Sequence, residues 1–191
     1  MRLLLASGSP YRRQLMTQLQ LPYEWVNPRF DEEPLKAWGL SASDLVERLA
    51  LEKAKSVLEA HSDKAIIGSD QVVTIGGEIL GKPGTPEAAV EQLLKLNGKT
   101  HELLTSVVVL AEGEVWQHTE STRMTMDKLS EESLKRYVSK DKPLDCAGSY
   151  KIESLGISLF VRVEGSDPSA IQGLPMMALS ARLRELGLHT P

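Results

Sequence analysis

Ser7, Ser9, Tyr11, Arg12 and Arg13 stand together near the start of the chain, directly after the apolar run Leu3-Leu4-Leu5-Ala6. Two hydroxyls and two guanidinium groups at this spacing are an anion-binding set, and a phosphate is the natural guest. The same residues also fit an ordinary strand-to-helix turn with solvated charges, so the rest of the chain has to decide. Asp70 follows Ile66-Ile67-Gly68-Ser69, and a carboxylate at the end of such a strand suits a general base or a metal ligand, or a turn cap. Asp31-Glu32-Glu33 offers hard oxygen ligands of the kind magnesium or manganese prefers, in a run that equally suits a solvated loop. Lys53 falls four residues after Leu49 and four before Val57, along an apolar helix stripe, where an ammonium either has an interior partner or snorkels at the stripe edge.

The elements that must position these groups follow from caps and periodicity. Ser9 is a good N-cap and Pro10 fits the first helical position, so a helix runs from Pro10 to about Leu19, its unpaired amides and dipole adding to the anion site. Leu21 to Val26 reads as a short strand. Ser41, with Asp44 three residues on, starts a helix whose apolar stripe continues to about Ala60. Lys64 to Ile75 reads as a buried strand ending at Gly76-Gly77, a hairpin signal, with Glu78 to Lys82 returning. Counting back from that turn sets Gln71 opposite Lys82, which brings a second cation near Asp70. Thr85-Pro86 repeats the capped start of a helix that stops at Asn97-Gly98. Leu103 to Leu110 and Glu114 to Met126 form an antiparallel pair, Ser130 caps a helix to about Val138, Gly156 to Val163 is a strand, and Leu174-Pro175 opens a last helix carrying Met177, Leu179, Leu183 and Leu186. Strands and helices alternate irregularly with two hairpins, so the expected class is α/β, a mixed sheet flanked by helices.

The chain has 191 residues, 41% hydrophobic and 25% charged, which suits one compact domain over residues 1–191. A formal net charge of -4 argues against a general nucleic-acid or membrane-surface binder, so any anion site is local. Cys146 is the single cysteine and cannot form an intrachain disulfide, and the four histidines show no zinc spacing. A reducing cytoplasm fits best. No segment reaches the roughly 18 apolar residues of a membrane span, and the N-terminal run is too short for a signal peptide.

Ser7-Gly8-Ser9-Pro10-Tyr11-Arg12-Arg13, the Asp31-Glu32 loop, Glu52-Lys53-Ala54, Gly68-Ser69-Asp70-Gln71-Val72-Val73, Gly81-Lys82-Pro83 and Cys146-Ala147-Gly148-Ser149-Tyr150 together resemble the Maf family of nucleotide pyrophosphatases. The resemblance implies an inosine-triphosphatase-like mixed α/β fold with a cleft between two lobes, a homodimer, and divalent-metal-dependent hydrolysis of a nucleoside triphosphate to the monophosphate and diphosphate. It implies that Asp70 activates water and shares a Mg²⁺ or Mn²⁺ ion with Glu32, leaving open whether Glu33 joins. Ser7, Ser9, Arg12, Arg13, Lys53 and Lys82 would bind the triphosphate, whose charges must be offset in a partly dry site.

The resemblance also bears on the base. The branch acting on dTTP and UTP has arginine, threonine and glutamine where this chain has Tyr11, Gln71 and Glu153; this set resembles the 7-methyl-GTP branch, in which tryptophan is common at the position of Tyr11. An aromatic face attracts the cationic N7-methylated ring, and a carboxylate accepts its N1–H and N2–H, whereas arginine at position 11 would repel it. The expected reaction is therefore conversion of 7-methyl-GTP to 7-methyl-GMP and diphosphate, clearing modified nucleotides. Alternatives are a pyrimidine triphosphate substrate, or a nucleotide-binding regulator linked to cell division.

Overall fold

A computed structural model describes residues 1–188, in which seven strands form one mixed sheet flanked by helices. The strands are β1 (Arg2–Ala6), β2 (Tyr23–Val26), β3 (Lys64–Ile75), β4 (Glu78–Leu80), β5 (Thr100–Ala111), β6 (Glu114–Met126) and β7 (Phe160–Glu164). Their order is β2-β1-β3-β5-β6-β7, with β4 paired to β3. The helices are α1 (Pro10–Gln18), α2 (Glu33–Lys36), α3 (Ala42–Lys55), α4 (Pro86–Leu96), α5 (Glu131–Asp141) and α6 (Met176–Glu185). No helix among the described residues is long and apolar enough to cross a membrane.

The chain divides into two compact units. The first comprises Met1–Asp70, Thr105–Glu120 and Asp167–Pro191; the second comprises Gln71–Leu104 and Ser121–Ser166. In the first unit β1 is flanked by two parallel neighbours, β2 and β3, and its run Leu3 to Ala6 is buried throughout, as a central parallel strand requires. Its alternating side chains feed two cores. Leu3 and Leu5 pack with Leu15 and Met16 of α1 and with Leu179 and Leu183 of α6, while Leu4 and Ala6 pack with Ala50 and Ala54 of α3. Each such leucine contributes about 1.5–3 kcal/mol by burial. In the second unit β3 turns through Gly76 and Gly77 into β4, with Ile75 opposite Glu78, and α4 packs on α5. Tyr150 meets Phe160 edge-on at a centroid distance of 4.9 Å beside the buried His101.

The predicted caps are present. Ser9, Ser41, Thr85 and Ser130 each accept from the backbone N–H three residues on, and Pro10 and Pro86 sit in the first turns they open. Four expectations need correction. The hairpin ladder runs from Ile75 opposite Glu78 to Val73 opposite Leu80 and stops short of the Gln71–Lys82 position reached by counting back. Helix α3 stops at Lys55: the Ser56 hydroxyl donates to the Lys53 carbonyl, and Leu58 and Ala60, placed on the stripe, are exposed. The segment Leu155–Leu159 is a 3-10 turn, because the amides of Ser154 and Gly156 both fold back onto the Lys151 carbonyl, and only Phe160–Glu164 is strand. In α6 the buried methionine is Met176, while Met177 faces out.

Candidate active site

The first unit gathers seven of the predicted residues around the end of β1 and the middle of β3, where Asp70 lies within the strand instead of ending it. Gly68 makes this possible. A Cβ there would meet the Ala50 carbonyl oxygen at 2.5 Å and the Ala54 Cβ at 2.8 Å, so only glycine lets α3 lie this close to β3. The close approach sets Lys53, on α3, against Asp70, two residues beyond Gly68. The Lys53 Nζ lies 2.5 Å from Asp70 Oδ1 and 2.8 Å from Glu32 Oε1, with only 12% of the Lys53 and Asp70 side chains exposed. The ammonium on the apolar stripe thus has its interior partner: one cation bridges two carboxylates from distant parts of the chain.

Glu32 comes to this point because α2 follows it directly, and Lys36, one turn on, holds its other oxygen at 3.1 Å. Burial by itself would push the Glu32 carboxyl upward, but the charge and hydrogen bond of Lys53, followed by those of Lys36, outweigh it and bring its pKa down to about 2. Glu32 is therefore a carboxylate under all physiological conditions. Glu33, by contrast, points to Lys36 from the exposed side of α2.

Arg12 is built into the frame of this site. Its Nε donates to the Gly173 carbonyl at 2.9 Å, and its Nη1 donates to the Ser69 carbonyl at 2.8 Å, one residue before Asp70. The Ser69 hydroxyl donates to the same Gly173 oxygen at 2.7 Å, closing a ring of contacts beneath the middle of β3. Burial lowers the Arg12 pKa, partly offset by Asp70 and Glu32, and the group stays cationic. Ser7 Oγ accepts from the Ser9 amide at 3.2 Å, and the Ser9 hydroxyl accepts from the Arg12 amide at 3.4 Å. Both hydroxyls act as acceptors, which leaves their O–H hydrogens for an incoming oxyanion. The Arg13 guanidinium carbon lies over the half-exposed Trp25 ring of β2, 4.2 Å from its centroid, a cation–π contact.

The remaining predicted residues distribute as follows. Tyr11 is half-buried in the first turn of α1, in the first unit. Gln71, half-buried, follows Asp70 on β3; Lys82 is exposed beyond β4; Glu153 is exposed in the turn after Tyr150; all three belong to the second unit.

A sequence-family model described as Maf-like protein matches residues 2–186 of the chain. The chain belongs to the Maf family. Among Maf relatives, a protein of Aromatoleum aromaticum named 7-methyl-GTP pyrophosphatase is 46% identical over 192 residues, spanning 100% of this chain and 98% of its own. Proteins of the same name from Bdellovibrio bacteriovorus and Pseudomonas aeruginosa are 45% and 42% identical, covering 98% and 99% of this chain and 98% of each relative.

Several residues that hold these contacts together are given no role by the sequence. Ser69 enters only as part of a strand and of the Gly68–Val73 motif, Trp25 only as a strand residue, and Gly173 not at all. Gly173 carries a signal of its own, a positive φ of 113° directly before Leu174-Pro175, but nothing local says that Arg12 would be its partner.

Proposed function

We propose that this chain is a nucleoside triphosphate pyrophosphatase that hydrolyses 7-methyl-GTP to 7-methyl-GMP and diphosphate. The observation that carries the reading is the pairing of two partly desolvated carboxylates, Glu32 and Asp70, through one ammonium beside the serine- and arginine-bearing start of α1. The names of relatives above 40% identity over nearly the whole chain support the substrate.

Asp70 accepts a proton from water as that water attacks the α-phosphorus; the bond from this phosphorus to the α–β bridging oxygen breaks, and diphosphate leaves. Burial within a rigid strand suits the carboxylate to this task, because its direction is set by the Arg12 and Ser69 contacts behind it. The Ser7 and Ser9 hydroxyls, with Arg12, Arg13, Lys53 and Lys82, offset the triphosphate charge. Tyr11 stacks on the methylated base, Glu153 accepts its ring N–H hydrogens, and Gln71 completes the base contact.

The donor set fits a divalent metal. Glu32 and Asp70 are hard oxygen ligands that both lie against the Lys53 ammonium, and Mg²⁺ is commonly held by one or two carboxylates together with substrate phosphates. Glu32 and Asp70 would hold it. When bound, Mg²⁺ or Mn²⁺ supplies charge that offsets the phosphates and polarises the phosphorus under attack. The proposal extends to a cytoplasmic homodimer whose partner is this nucleotide, not nucleic acid or membrane.

A nucleotide panel tests the reading. With Mg²⁺ or Mn²⁺, the purified chain should release diphosphate from 7-methyl-GTP with a kcat/KM at least tenfold above those for dTTP and UTP, and Asp70→Asn should abolish turnover. Equal rates on pyrimidine triphosphates, or full activity in Asp70→Asn, would overturn the assignment.

A further inference from the structure

Lys82 has an exposed side chain on an irregular segment, yet the backbone around it is pinned from both sides. On α4, Gln92 donates from Nε2 to the Gly81 carbonyl at 3.0 Å. Its Oε1 accepts from the Ser149 hydroxyl at 2.6 Å. On the far side of Lys82, the Gly84 amide donates to the Leu144 carbonyl at 3.1 Å. Pro83 lies between, fixing its own φ and restricting Lys82 to extended backbone.

The Gly81 carbonyl belongs to the same rigid peptide plane as the Lys82 nitrogen and Cα. A hydrogen bond to that oxygen therefore sets the direction in which the Lys82 side chain leaves the backbone. The anchor behind Gln92 is itself firm. Ser149 is fully buried and holds a left-handed φ of 65°, unusual for a residue with a side chain, and follows Gly148 at 71°. A Cβ on Gly148 would meet Val73 and Tyr150 at 2.9 Å, so this turn is locked against the second unit's core. Such a strained and buried serine persists only where its surroundings over-determine it. Its hydroxyl reaches α4 and, through one amide group, the segment that carries Lys82.

We propose that Gln92 is a positioning residue for Lys82, relaying the fixed turn at Ser149 to the peptide that aims this lysine at the substrate's phosphates. The inference rests on the phosphate role given to Lys82 above. Gln92 lies outside the short motifs that carry the family resemblance, on a helix whose sequence reads only as an amphipathic scaffold.

The test uses the full chain. Gln92→Met alone would orphan the buried Ser149 hydroxyl, so Gln92→Met/Ser149→Ala, which removes both partners, is compared with it and with Lys82→Met in each background. Backbone ¹⁵N relaxation of the Lys82 amide should fall from an order parameter of about 0.85 to below about 0.6 when Gln92 is replaced. The KM for 7-methyl-GTP should rise about three- to tenfold, the net worth of one hydrogen bond, with kcat held. In the Lys82→Met background the same replacement should change nothing further. An unchanged Lys82 amide, or a KM effect that multiplies with that of Lys82→Met, overturns the proposal. A loosened amide with no KM effect from Lys82→Met instead upholds the positioning and overturns the phosphate role of Lys82.

Discussion

Replacing Glu32 by glutamine should remove a specific part of the protein's acid sensitivity. In the folded chain the Glu32 carboxyl titrates at about 2, against 4.5 for an ordinary glutamate, chiefly because Lys53 and Lys36 outweigh the cost of its burial. At roughly 1.4 kcal/mol per pH unit of difference, the full effect would be about 3 kcal/mol. Glu32 keeps 29% of its side chain exposed, and solvent screening at that exposure trims the expected value to about 2 kcal/mol. The sign follows from proton uptake. Below its ordinary value of 4.5 the unfolded chain gains a proton that the folded chain refuses until about 2, so this stability is complete above pH 4.5 and is lost as the pH falls toward 2. Urea unfolding of the wild type and Glu32→Gln at intervals from pH 6 to pH 2 reads the difference directly. The two stability curves should converge by about 2 kcal/mol across that window, the wild type falling more steeply. Parallel curves would mean that Glu32 is not held by Lys53 as described, and the shared-ammonium geometry would fail with it.

Gly68→Ala should destabilise by about 1–3 kcal/mol in urea, since its Cβ would strike the Ala50 carbonyl and Ala54, and should slow turnover by moving Lys53 off Asp70. An unchanged melting curve would show that α3 can step back freely. His101→Phe should flatten a different pH window: burial lowers the His101 pKa to about 4 from 6.5, so the wild type loses stability as pH falls from 6.5 toward 4, and the variant should not. Tyr11→Arg with Glu153→Gln should lower kcat/KM for 7-methyl-GTP relative to UTP by at least tenfold, and an unshifted ratio on the nucleotide panel would remove both from the base contact. Cys146, whose thiol burial and then Asp145 push up to about 12, should react with a thiol reagent at pH 8 far more slowly than free cysteine.

The parts of this molecule legible from sequence are those decided within a few residues. Ser9-Pro10, Ser41, Thr85-Pro86 and Ser130 start helices because a side-chain oxygen meets an amide three positions on, and Gly76-Gly77 closes a hairpin because both residues adopt positive φ. Lys53 could be flagged because an ammonium on an apolar stripe invites a partner, but helical spacing cannot say which one. Counting along the hairpin brings Lys82 near Asp70, but cannot reveal the contact made by Lys53, which is delivered by helix packing over Gly68. The segment Gly156 to Val163 looked like one strand because its composition is β-branched and apolar, while the backbone bonds to Lys151 that curl its first half are invisible to composition. Likewise, two hydrogen bonds link Arg12 and Ser69 to Gly173 across more than a hundred residues, a pairing no local pattern encodes.

That last contact has a consequence for the order in which the protein is made. Arg12, Ser69 and Asp70 leave the ribosome long before Gly173, whose carbonyl completes the ring beneath β3. A nascent chain exposed only through β7 can form β1, α1 and β3, yet its Arg12 and Ser69 lack their common acceptor. The Asp70 carboxylate thus gains its rigid footing only when the stretch from Asp167 into α6 has folded back onto β1, α1 and β3. Competence for hydrolysis in this sense waits on synthesis past Gly173, and a chain truncated before it would carry every proposed catalytic side chain without the frame that aims them.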